Sequence, residues 1–279
     1  MILRRRLAAL VMMALLCAAA AATAAPKKDP TPTAHAQRAG LTHIVEQVQH
    51  AAQRGERPVV IVDIDDTVLD RSVLHRLATG NGKDGLLASR RGHSSAFDAM
   101  LSRFEAGEKK LERDLYYLLG ARGMFSSRVR GVHGYLRAIE AAGGQVIFVT
   151  ARQASWRADT HVALDKAGLL RGLGRRQRPL VMRPDGFNGS SRFKEQVVRR
   201  IGGKRRVVAL FDDKPKNLRS MKRAVPEAIA VQVTFKPDRG THVGGDMLVV
   251  DFKHTRPLFR KLMIRRSKTP VRRQLLRRR

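Results

Sequence analysis

The chain has 279 residues, 43% hydrophobic and 5% aromatic, with 55 Lys and Arg against 24 Asp and Glu, a formal charge of +31. Ordinary apolar content at this length excludes a disordered or collagen-like chain and allows a sizeable core, as one domain with an insertion or two smaller domains. A single cysteine excludes a disulfide scaffold, and the charge favours anionic partners such as nucleic acid, acidic lipid or phosphorylated substrates without bearing on fold.

Arg4-Arg5-Arg6 precedes an apolar run from Leu7 to Ala22, and Ala22-Thr23-Ala24 offers a small-residue cleavage point. Positive flank, apolar middle and small-residue exit are the parts of a secretory signal peptide. Residues 1–24 are therefore expected to send the chain to the periplasm or beyond, or to anchor it in the membrane if uncleaved. Cys17 lies inside this run, so the cleaved chain has no thiol chemistry. Pro26 to Thr33 holds three prolines and two lysines, and residues 25–36 read as a linker.

Residues 37–251 read as one folded domain. Leu41, Ile44, Val45 and Val48 recur at helical spacing, and Gly55 and Pro58 close that helix. Val59-Val60-Ile61-Val62 is a continuous apolar run, the mark of a strand buried on both faces. It runs into Asp63-Ile64-Asp65-Asp66-Thr67. Open α/β sheets bind ligands at the carboxyl ends of their strands, and acids two residues apart in a strand point the same way. Asp63 and Asp65 thus suit a metal or proton-transfer site.

Between Leu69 and the next buried strand, Asn81 to Gly85 forms a turn cluster. After a Ser95 N-cap, Phe97, Leu101, Phe104, Leu111, Leu115 and Leu118 recur at helical intervals. Residues 70–128 are expected to be a helical insertion, either a lid over the site or a cover for the sheet edge; Tyr116 and Tyr117 are read as packing residues. Val129 to Ala142 reads as a helix closed by Gly143-Gly144, followed by a strand, Val146 to Val149, ending in Thr150-Ala151-Arg152. Helix 154–168, strand Leu180 to Met182 and turn Arg183 to Gly186 come next, then a helix start at Phe193-Lys194. Val207 to Phe211 is again a buried strand running into acids, Asp212-Asp213, with Asn217 four residues beyond Asp213. Ala230 to Val233 reads as the last strand. Strands alternating with helices in this way predict a three-layer, Rossmann-like α/β fold around a parallel sheet.

From Phe252 to Arg279 there are twelve Lys and Arg and no acid. Residues 252–279 are assigned to a basic tail, with Leu258, Phe259, Leu262 and Met263 on one face of an amphipathic helix. The tail is either a solvated segment or a contact for anionic lipid or polyanion. No specific nucleic-acid module is apparent. His75, His93, His133 and His161 have no metal-ligand spacing and read as structural.

The run Asp63-Ile64-Asp65-Asp66-Thr67 behind an apolar strand resembles the DxDxT motif of the haloacid dehalogenase (HAD) superfamily, mostly phosphatases and phosphotransferases. Thr150, Lys194 and Asp213 with Asn217 resemble its other three motifs, in the expected order, and Thr-Ala-Arg resembles its secreted acid-phosphatase branch. The resemblance implies a helical cap after the first strand, Mg²⁺ as cofactor, Asp63 as nucleophile and Asp65 as general acid and base with a pKa above that of an exposed aspartate. It places Thr67, Thr150 and Lys194 on the substrate phosphate, and Arg152, two residues beyond Thr150, suits either a bidentate clamp on that phosphate or a salt bridge. The resemblance places Asp63, Asp65 (through its backbone carbonyl), Asp213, Asp212 and Asn217 around the metal, with Asp213 preferred over Asp212. An exported Mg²⁺-dependent phosphomonoesterase acting on a small phosphoester is the expectation. A HAD phosphotransferase, or a non-catalytic polyanion- or membrane-binding protein on the same scaffold, is the alternative.

Overall fold

The computed structural model describes residues 31–72, 126–234 and 245–253. The expected signal peptide, nearly all of the cap and the helix of the basic tail lie outside the described residues, as do His75 and His93. No helix among the described residues is long and apolar enough to cross a membrane.

The first helix, α1, spans Thr31–Gln53, so it starts within the stretch expected to be a linker. Pro32 does not oppose this, because the first turn of a helix has no partner for the missing N–H. Leu41, Ile44, Val45 and Val48 form its buried stripe. Strand β1 follows at Pro58–Val62, all five residues buried. A short strand β2, Leu69–Asp70, pairs antiparallel with β3, Ser127–Arg128, in the register Leu69↔Arg128 and Asp70↔Ser127. The insertion therefore leaves and re-enters the domain through one two-stranded ladder beside the acidic turn.

The chain then alternates helix and strand: α2 Val132–Ala141, β4 Gln145–Gln153, a single 3₁₀ turn Ala154–Trp156, α3 Arg157–Lys166, β5 Leu180–Arg183, α4 Ser190–Gly202, β6 Arg206–Asp212, α5 Pro215–Ala224, β7 Ile229–Val233 and β8 Met247–Val249. The six long-range strands form one sheet in the order β5-β4-β1-β6-β7-β8, every pair parallel. This is the predicted three-layer α/β sheet. β7 is not the last strand, however. Met247-Leu248-Val249 adds an edge strand against Val231-Gln232-Val233, too short to carry a periodic signal of its own.

The period of two along each strand sorts the core into two halves. Val60, Val62 and Phe148 face α1 and α2, with Leu41, Ile44, Tyr135 and Ile139 against them. Val59, Ile61 and Val149 face α4 and α5, meeting Phe193, Val198, Leu218 and Met221. The first half continues past the expected domain end. Phe252 is 1% exposed and its ring lies 5.2 Å from Tyr135 and 6.0 Å from Phe211. Gly131 makes this closure possible, since a Cβ there would sit 1.9 Å from the Phe252 carbonyl oxygen. Gln37 on α1 fixes the same segment, accepting from the Val250 N–H at 2.9 Å and donating to the Asp251 carbonyl. The basic tail thus begins after a core residue, not at it.

Candidate functional site

β1 and β6 run side by side, and the Asp63 N–H donates to the Phe211 carbonyl at 2.9 Å. That bond carries the ladder one residue beyond β1 and sets Asp63 beside Asp212 at the carboxyl edge of the sheet. α4 brings a third group to the same point. Its first turn buries Lys194 at 1% exposure, with Nζ 2.8 Å from Asp63 Oδ1 and 2.5 Å from Asp212 Oδ2. Asp213 completes the cluster, because Asp63, Asp212 and Asp213 each offer a carboxylate oxygen within 4.8 Å of the others. Residues separated by some 150 positions in sequence converge here through the parallel pairing of two strands.

The electrostatics of this cluster are unbalanced. Three carboxylates cluster around one buried ammonium, which pairs with two of them, Asp63 and Asp212. Burial, then repulsion from Asp212 and Asp65, pushes the Asp63 carboxyl up to about 7 despite Lys194. Burial and the charges of Asp63 and Asp212 push Asp213 up to about 8. Burial works against the Lys194 charge, but Asp212 and Asp63 outweigh it and hold its pKa above the usual lysine range. Clustered carboxylates of this kind are hard oxygen donors with surplus negative charge, and they fit Mg²⁺ rather than a thiolate- or imidazole-seeking metal.

Asp212 and Asp213 differ in what their oxygens already hold. Asp212 is fully buried, with Oδ2 on Lys194 and Oδ1 accepting from the Lys214 N–H and the Asn217 amide, each at 2.9 Å. Asp213 is the more open of the two. Asn217, expected as a metal ligand, is instead turned into the protein. Its Nδ2 serves Asp212, and its Oδ1 accepts from Ser191 at 2.9 Å and Ser190 at 3.3 Å. Its role is to orient Asp212. Ser190 and Ser191 were readable only as the start of a helix, because hydroxyls there fit an N-terminus equally well.

The other half of the turn is built differently. Asp65 is gripped by Arg152, whose Nε and Nη2 donate to its two oxygens at 2.9 and 2.6 Å. Arg71 adds a contact to Asp65 at 3.3 Å and one to Asp66 at 2.8 Å. Burial alone would raise the Asp65 carboxyl, but Arg152 and Arg71 hold it down at about 2. This corrects the expectation of a raised pKa at Asp65, whose carboxylate faces the two arginines. Of the two readings of Arg152, the salt bridge is the one present. Its guanidinium holds Asp65 and reaches Thr160 Oγ1 at 3.3 Å, rather than lying open for a phosphate. No sequence signal pointed to Arg71, one of 55 basic residues.

Asp66 takes the left-handed conformation at φ 57°, which Asp tolerates better than most residues. Its carboxylate accepts from the Arg71 N–H and Nη2, which holds the turn in that shape. Thr150 sits at 1% exposure on β4, its Oγ1 accepting from the Arg152 N–H at 3.2 Å. The Thr67 hydroxyl is buried with no partner among the described residues, an uncommon state for a native structure. Thr67 lies in the turn after β1 that carries Asp63 and Asp65, and Thr150 lies on β4, the strand paired with β1. His133 and His161 belong to no metal-holding group among the described residues.

No protein-family model and no curated protein matches the sequence. Solved structures with a similar course of chain do exist. One is the class C acid phosphatase from Bacillus anthracis, 15% identical over 78% of this chain and 79% of that one, with a TM-score of 0.40. Others are a haloacid dehalogenase-like family hydrolase from Streptococcus pneumoniae, 13% identical over 69% and 93%, TM-score 0.44, and one from Xanthomonas campestris, 14% identical over 76% and 98%, TM-score 0.42. Likeness at this distance assigns no chemistry, which rests on the residues of this chain alone.

Proposed function

We propose that the protein is an exported Mg²⁺-dependent phosphomonoesterase that works through a phosphorylated Asp63. The observation that carries this reading is the convergence of Asp63, Asp212, Asp213 and Lys194 at the carboxyl edge of the sheet, beside Asp65 and the buried hydroxyls of Thr67 and Thr150. Asp63 and Asp213 would hold the cation, with Asp212 held beside them by Lys194 and Asn217, and Mg²⁺ there would neutralise phosphate charge and bring Asp63 to its ionised form.

Asp63 Oδ attacks phosphorus, the P–O ester bond breaks, and the leaving oxygen takes a proton from Asp65. Water then attacks the same phosphorus, Asp65 takes its proton, and Asp63 is released with free phosphate. Lys194 stays against Asp63 and offsets charge on the equatorial oxygens, with Thr150 and Thr67 as neutral donors. Asp65 as it stands is a carboxylate, ready for the second step. To donate in the first it must be loosened from its guanidinium partners, and an incoming phosphate dianion offers those groups oxygens of its own.

That clamp is also the one feature favouring the second reading, a non-catalytic protein on a HAD-like scaffold. Turnover of p-nitrophenyl phosphate in Mg²⁺, lost on chelation and lost in Asp63→Asn, is the expected result. No turnover across a broad panel of phosphomonoesters would sink the enzymatic reading, and acceptor-dependent product in place of free phosphate would turn it into a transferase. Export rests on the N-terminal segment, and a mature N-terminus at or near Ala25 in secreted material is the expected finding.

A further inference from the structure

The opposite edge of the sheet carries a feature the proposed reaction does not use. A cleft of about 620 Å³ opens between the turn after α1 and the loop joining α4 to β6, lined by Arg54, Arg57, Lys204, Arg205 and Arg206. The pairing Pro58↔Arg206 puts the two basic segments side by side at the strand beginnings. The two acids of the cleft are already engaged, Glu56 by Arg54 at 2.7 Å and Glu227 by Arg206 at 3.5 Å. Arg57, Lys204 and Arg205 are exposed and no carboxylate among the described residues pairs with them. Along the five residues of β1, at about 3.3 Å each, the cleft stands roughly 17 Å from the Asp63 cluster.

We propose that this cleft binds the phosphate backbone of a nucleic acid without regard to sequence. Four of its five cations are arginines, whose planar forks match phosphate oxygens in pairs. No aromatic side chain lines it for base stacking, which leaves backbone contact as the mode. Its lack of apolar lining residues suits a strand of phosphates better than a bilayer, which amphipathic surfaces enter with apolar groups. The strand would lie across the loop from Lys204 to Arg206 and against Arg57.

The test is fluorescence anisotropy of labelled oligothymidylate with the full chain. Neutralising Arg57, Lys204 and Arg205 together to Gln is expected to weaken binding at least about tenfold at moderate salt and to lower the slope of log K against log salt by about 2, at roughly 0.7 per lost contact. A matched triple change at the exposed loop residues Arg171, Arg175 and Arg176, also to Gln, removes equal charge and is expected to cost much less. Glu227→Gln, which frees Arg206, is expected to tighten binding by about twofold. Equal losses in the two triple variants would reduce the effect to net charge and overturn the proposal. So would a cleft variant that keeps the oligonucleotide but loses phosphatidylglycerol vesicles, since that partner is a membrane. Turnover of p-nitrophenyl phosphate is expected to be unchanged in the cleft variant, so failure here and failure of the catalytic reading are separate results.

Discussion

The two sides of the acidic crevice face each other across a few residues of one turn, yet they solve the problem of buried charge in opposite ways. On the Asp65 side two guanidiniums meet two carboxylates, and Asp65 is held ionised at about 2. On the Asp63 side one ammonium meets three carboxylates, and Asp63 and Asp213 rise to about 7 and 8. The first side is complete without a ligand. The second is short of positive charge, and a buried surplus of that kind needs a cation or protons to persist. The β6 side of the turn is therefore where the proposed cation would fit.

Removing the shared nucleophile breaks the comparison most severely. Asp63→Asn is expected to lower kcat on p-nitrophenyl phosphate by about 10³ or more, while its thermal midpoint does not fall, because one repelling carboxylate is gone and Lys194 keeps Asp212. Next in size is Lys194→Met, which leaves the three acids with no buried cation. Breaking a buried pair in this way costs about 3–5 kcal/mol, and denaturant unfolding in the absence of Mg²⁺ would measure it. Added Mg²⁺ is expected to recover part of the loss in stability but not the activity.

A smaller effect is set by pH. Folded Asp63 and Asp213 hold protons that the unfolded chain releases near pH 4, so the folded state without metal binds more protons between these limits. Its stability is therefore expected to decline as pH rises from about 4 and to level off once pH passes 7 to 8. Mg²⁺ competes with those protons, so the gap between thermal midpoints with Mg²⁺ and with EDTA should widen over the same interval. Asp213→Asn is expected to flatten that dependence. A gap that stays constant with pH would mean that the cation, if bound, lies elsewhere.

How much of this was legible beforehand depended on whether the signal was local. The buried strands at β1, β4 and β6 announced themselves as unbroken apolar runs, because in a parallel sheet both faces of a strand are covered. The acids at their ends could be placed for the same reason. Met247-Leu248-Val249 could not, since three residues carry no period, and Phe252 was masked by the basic run that follows it. The partners of the acids were harder still. Whether Arg152 holds a substrate or Asp65, and whether Asn217 faces an ion or Asp212, depends on side-chain directions set by contacts across the sheet. Residue type cannot distinguish those outcomes.

The mildest change sharpens the contrast on the side that is already neutral. Arg71 touches Asp65 at 3.3 Å and Asp66 at 2.8 Å, while Arg152 alone takes both Asp65 oxygens. In Arg71→Gln the clamp loosens but does not open, and the Asp65 pKa moves upward from about 2. A depressed carboxylate contributes stability above its unfolded pKa and loses it as pH falls through the folded one, so the variant is expected to be less stable than the parent at neutral pH and to converge with it in acid. If Asp65 must be loosened before it can donate, the acid limb of the kcat profile should move to higher pH, with a change in kcat below the ~10² typical of losing an acid–base group. A collapse of kcat as deep as that of Asp63→Asn, with the pH profile unmoved, would instead put Arg71 on the substrate phosphate and leave Arg152 to hold Asp65 by itself.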